Sequence, residues 1–170
     1  MSYEVGAVVH VHDRMQTGYA YAVAAPAGKN FAPGFKPAFT PKKMLALGVF
    51  EGKYCNDCRP EFPDDWFAKV RVSGSPDPML NCFGVKSRQS LRVWREKGWI
   101  VGPDPRGWFQ WYCRYFLGRR LPDVDAHQIG RWRAFSRHAA QIRANCLPMD
   151  LGCRPRQRQA LLQWAYDPFI

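Results

Sequence analysis

The sequence predicts a mainly α, compact helical domain with a small N-terminal β-hairpin and a Pro-rich arm. Three observations carry this. Two strand-like runs, residues 8–12 and 19–23, flank a polar turn near the N-terminus. Helix caps and glycine stops recur through the second half of the chain. Trp132, Phe135, Ala139, Ile142 and Cys146 fall at spacings of three and four, which places them on one helical stripe. At 170 residues the chain fits a single domain with a proper core. It divides along its length into a hairpin and arm (1–40), short helices and loops (41–85), and a basic, aromatic-rich helical core (86–170).

Taken in order, residues 8–12 and 19–23 read as the two strands. Residues 26–41 carry Pro26, Pro33, Pro37 and Pro41 with Gly28 and Gly34, so they form a loop or an arm lying over something. Thr40 caps a two-turn helix and Gly48 stops it. Residues 62–69 form another short helix, with Asp64 and Asp65 at its positive end. Ser87 caps a helix over 88–97, and Gly98 ends it. Asp104 and Pro105 open a helix running to Leu117, with Gly118 as its stop. Asp125 and Gln128 match a capping box for a long helix reaching about Asn145. Pro155 begins a last helix running to about Tyr166.

The formal net charge of +11 is concentrated. Residues 1–85 hold nine basic and eight acidic side chains, whereas residues 86–158 hold sixteen and five. Fourteen of those sixteen are arginines, the cation suited to bidentate phosphate contacts and to stacking. Arg154, Arg156 and Arg158 crowd the start of the last helix, where the dipole disfavours cations by roughly 0.3–1 kcal/mol each. A phosphate would turn that cost into charge-assisted hydrogen bonds. Pairing with carboxylates of Asp104, Asp123, Asp125 or Asp150, or solvation, are the alternatives. Arg133 and Arg137 lie off the apolar stripe of the long helix and extend the phosphate-binding set.

In the helix around residues 107–116, Phe109, Tyr112 and Phe116 form one stripe and Trp108, Trp111 and Tyr115 another. Such a helix is central to the core, or one stripe lines a pocket where a flat group stacks on Trp108, Trp111 and Tyr115. Arginines with rings point to nucleic acid, DNA first, and to a DNA-acting repair or base-processing enzyme. No helix-turn-helix, RNP or zinc-finger spacing supports this by motif. A small-molecule enzyme for a phosphate- or carboxylate-bearing substrate is the second reading. A non-enzymatic module docking a protein through Arg and Trp is the third.

Catalytic signals are single groups. Lys53 follows a glycine near Asp57, and His138 lies off the apolar stripe; these three are the candidates for nucleophile, water activator and acid–base group. No P-loop, G-x-S-x-G, H-E-x-x-H or Rossmann pattern occurs. No cofactor is expected. The alternative is zinc on Cys55 and Cys58, completed by Cys146 and Cys153. The six cysteines, with no secretory start, suggest a reducing cytosolic or organellar setting, cytoplasmic first, and no membrane partner is expected.

Three stretches, TPKKMLALGVFEGKY (40–54), DPRGWFQWYCRY (104–115) and CRPRQRQALL (153–162), together resemble a family of small uncharacterised hypothetical proteins. The resemblance spans about residues 19–167. It implies no activity, cofactor or site residue.

Overall fold

A computed structural model describes residues 2–170. Among them are five α-helices and one two-stranded antiparallel hairpin, linked by 3-10 turns and irregular chain. The chain forms two compact units, each assembled from separate stretches. Of the described residues, the first unit takes those up to 36, 57–64 and 89–130; the second takes 37–56, 65–88 and 131–170. Neither unit follows the three consecutive divisions expected from the sequence.

In the first unit, β1 (Val8–His12) pairs with β2 (Thr17–Ala22), with Val9 opposite Tyr21 and Val11 opposite Tyr19. Period-two alternation buries Val9 and Val11 with Tyr21 and Val23 and turns His10 and His12 outward. Further along this unit comes α2 (Leu91–Glu96), capped by Ser90. Ser87, expected as that cap, belongs instead to the second unit, where it donates to the Arg156 carbonyl. The helix α3 (Trp108–Phe116) begins four residues later than Asp104 suggested. Asp104 is buried as an ion-pair centre, which removes it from the cap.

The sequence left open what the Pro-rich arm covers; its part within this unit, up to residue 36, lies over α3. Gly28 N–H donates to the Phe116 carbonyl, and the Phe35 ring meets Trp111, Tyr112 and Tyr115 at 5.6–5.8 Å. Gly118 accepts from the N–H groups of Ala24 and Ala25. Its φ is +106°, and a Cβ there would lie 2.0 Å from the Ala25 carbonyl oxygen, so only glycine fits.

The long helix α4 (Pro122–Asn145) begins three residues before Asp125 and crosses from the first unit into the second. Asp125 works from inside the first turn. One carboxylate oxygen accepts from Leu121 N–H at 2.7 Å, the other from the Trp111 indole at 2.8 Å.

In the second unit, α1 (Pro41–Leu47) has the expected ends: Thr40 accepts from Lys43 N–H, and Gly48 is left-handed. The expected apolar stripe of α4 is also present. Ala139 and Ile142 pack with Leu161 of α5 (Pro155–Gln163), with Phe135 and Cys146 at the margin. Parallel rings extend this contact: Trp132 on Tyr166 and Phe135 on Trp164, each pair at 4.9 Å and 14°. The buried Gln159 amide donates to the carbonyls of Gly48 and Val49 and accepts from Phe83 N–H, tying α5 to the chain after α1.

Candidate nucleic-acid interface

Sorting the arginines by partner separates the structural ones from those that face water. In the first unit, Arg106 binds Asp13 and Asp57 at 3.0 Å. Arg114 binds Glu61 at 2.6 Å and Asp104 at 2.9 Å, and Arg119 binds Asp104 at 2.6 Å. Arg114, Arg119, Glu61 and Asp104 are all buried. Desolvation opposes these charges, but the carboxylates outweigh it, so the guanidinium pKa values of Arg106 and Arg114 rise. Asp13 is pushed up by burial, yet its hydrogen bonds from Arg106 and the main chain hold it below the ordinary carboxylate range. Arg120 lies 4.0 Å over the Tyr115 ring and donates to the carbonyls of Tyr115, Arg119 and Lys29.

The three arginines at the start of α5 divide. Arg158 is fully buried, which corrects its assignment to a phosphate-binding face. Its Nε donates to the Cys153 carbonyl, Nη1 to Pro168 and Ile170, and Nη2 to Asp150, at 2.7–2.9 Å. These partners are main-chain oxygens and not the carboxylates considered from the sequence. Arg154 and Arg156 are exposed. Arg154 precedes Pro155 in a left-handed conformation, φ +54°, and provides no side-chain cap.

The exposed arginines gather at adjoining ends of two helices. Gln157 on α5 accepts from Arg154 at 3.1 Å, and its amide nitrogen reaches Gln141 and, at 2.9 Å, His138 Nδ1 on α4. Arg137 and Arg143 are exposed on that part of α4, as is Arg133. Among the described residues, Arg137, Arg143, Arg154 and Arg156 form no ion pair with a carboxylate. Burial and then the Arg137 charge hold His138 below the ordinary imidazole pKa. An anion docking here would meet guanidinium groups not already spent on the fold, beside the amide ends of α5.

The other sequence candidates fall elsewhere. Trp108, Trp111 and Tyr115 are buried, and each ring is covered by neighbours: Trp108 stacks on Tyr112 at 5.4 Å and Trp111 on Tyr115 at 5.0 Å. They form core and offer no face to a base. Lys53 is exposed and donates to the Gly74 carbonyl, whereas Asp57 belongs to the other unit and binds Arg106. Lys53 and Asp57 are therefore each engaged by a different partner.

The four-sulfur zinc set is corrected, because Cys146 and Cys153 form a disulfide with Cα atoms 5.9 Å apart. Cys55 and Cys58 are buried free thiols in different units. Among the described residues, no group of three or more His, Cys, Asp or Glu is placed to hold a metal ion. No helix among them is long and apolar enough to cross a membrane. A cavity of about 180 Å³ opens beside the hairpin between His10, His12, Cys58 and Pro60. Its two acids, Asp13 and Glu61, are the ones bound to Arg106 and Arg114. Sequence reasoning missed this network because Arg114 and Glu61 are fifty-three positions apart. No family model, curated protein or solved structure matches the chain.

Proposed function

We propose that the chain binds nucleic acid, DNA first, through the arginine-rich corner where α4 meets the start of α5. The observation that supports this is the division among the arginines. Arg106, Arg114, Arg119, Arg120 and Arg158 are spent on carboxylates, carbonyls or a ring, while among the described residues Arg137, Arg143, Arg154 and Arg156 face water without a carboxylate partner. Like charges on neighbouring stretches of α4 and α5 repel, and a phosphate backbone turns that repulsion into attraction. With the rings buried, the contact is a phosphate-holding one, and no reaction is assigned to Lys53, Asp57 or His138.

The test is fluorescence anisotropy with a labelled duplex and a labelled single strand. Four phosphate contacts on duplex give a slope of about −3.6 in log affinity against log salt, so affinity falls roughly 100-fold between 50 and 200 mM salt. The Arg137→Gln, Arg154→Gln, Arg156→Gln triple variant is expected to bind weakly with a shallower slope and unchanged unfolding. Equal binding by the triple variant, or none by the wild type at 50 mM salt, refutes the proposal.

A further inference from the structure

Between the two helices, residues 146–153 form a loop whose exposed side chains are apolar. Leu147 is 76% exposed, Met149 61% and Leu151 36%, and Pro148 is exposed as well. Single exposed apolar residues are ordinary on a surface, but four within five positions are not. The loop is also held in shape. The disulfide joins its ends. Asp150 N–H donates to the Leu147 carbonyl and Cys153 N–H to the Asp150 carbonyl, with Met149 left-handed between. From beneath, the buried Arg158 donates to the carbonyls of Asp150 and Cys153. The apolar tips therefore point into water because the backbone fixes them there. Collapse onto the protein is blocked by the same bonds.

Charge flanks these tips on both sides. Arg143 lies one helical turn before Cys146, and Arg154 and Arg156 follow Cys153 directly. Asp150 is the one acid between residues 137 and 156, against four arginines. Resting on the nucleic-acid reading above, we propose that this loop is a wedge. Leu147 and Met149 enter a base step of duplex DNA while Arg143, Arg154 and Arg156 hold the phosphates on either side. Leucine, methionine and proline are among the side chains that part a base step in this way, and flanking arginines secure the bent backbone. A membrane surface is the competing occupant. Residues 137–156 contain no Trp, Tyr or Phe, the rings that anchor proteins at a lipid interface. Their cations are all arginines, whose planar fork suits phosphate diesters held in fixed positions.

The experiment uses the full-length oxidised protein and a duplex with a central TA step, the kind most easily unstacked. A 2-aminopurine at that step reports unstacking, and dyes at the two ends report bending by energy transfer. The wild type is expected to brighten the 2-aminopurine and shorten the end-to-end distance. The Leu147→Ser, Met149→Ser double variant replaces exposed side chains only, so its thermal unfolding should match the wild type. It is expected to bind about tenfold more weakly, with neither optical change. The Cys146→Ser, Cys153→Ser variant, which frees the loop, is expected to behave similarly.

Wild-type binding with no unstacking, or a double variant that unstacks as well as the wild type, overturns the wedge and leaves the phosphate-binding reading intact. Wild type that binds no DNA at 50 mM salt overturns both. So does sedimentation with phosphatidylserine vesicles, abolished in the double variant, by a protein that ignores DNA.

Discussion

Replacing Arg158 with methionine separates the three arginines of α5 by their structural role. The guanidinium makes four hydrogen bonds to main-chain oxygens at 2.7–2.9 Å. Bonds from a charged donor are worth about 1.5–3 kcal/mol each, so the set amounts to roughly 6–12 kcal/mol gross. Burying the cation offsets several kcal/mol of that, and water reaches the part-buried oxygens once the side chain is gone. The net loss is about 2–4 kcal/mol. With a guanidinium chloride slope of about 4 kcal/mol per molar, the unfolding midpoint drops by roughly 0.5–1 M. Tryptophan fluorescence reads that transition. Arg154→Met and Arg156→Met, at exposed positions, should leave the midpoint in place. If Arg158→Met unfolds with the wild type, or if all three variants fall together, the guanidinium does not hold the loop and tail as described.

Asp104→Asn keeps the shape of the side chain but leaves Arg114 and Arg119 with less opposing charge; a loss of about 3–5 kcal/mol in urea unfolding is expected, and under 1 kcal/mol would contradict the buried network. Gly118→Ala forces a Cβ to 2.0 Å from the Ala25 carbonyl at φ +106° and should cost more than about 2 kcal/mol, whereas Gly130→Ala, open within α4, should stabilise by up to about 1 kcal/mol; both are read by thermal unfolding, and equal outcomes would argue against the arm's course over α3. The folded-state pKa of His138 lies below its unfolded value of about 6.5, so the unfolded chain binds the proton more readily. Its contribution is therefore complete above pH 6.5 and lost as pH falls from there towards the folded value. An NMR titration should place the His138 midpoint below its unfolded value of about 6.5, and a midpoint above that would reverse the sign.

What was legible in the sequence is local. Thr40 and Gly48 bracket α1, alternation marks β1, and the stripe of α4 follows from spacing, because each feature is settled within a few residues. Helix starts were less legible. Ser87 and Ser90 are both competent caps, and only the bond from Ser87 to the Arg156 carbonyl decides between them. Asp104 resembles a helix opener until Arg114 and Arg119 claim its carboxylate. The two stripes of α3 could have bordered core or pocket; the arm, through Phe31 and Phe35, covers them. At the candidate site, the excess of arginine was visible, but not which arginines the fold consumes. Arg158 looks like Arg154 and Arg156 in the sequence, and its partners are carbonyls, which every residue carries.

The interleaving of the two units bears on how the protein is made. The polypeptide passes between them five times, at residues 36, 56, 64, 88 and 130. During translation the hairpin emerges early, yet α3, which completes its surroundings, is more than eighty residues behind. The other unit waits for α5, close to residue 163. Neither half can finish and shelter the nascent chain while the rest is synthesised, so both mature almost together and late. Trimming from either end removes part of one unit and leaves the rest of that same unit incomplete, so simple truncation yields no free-standing half.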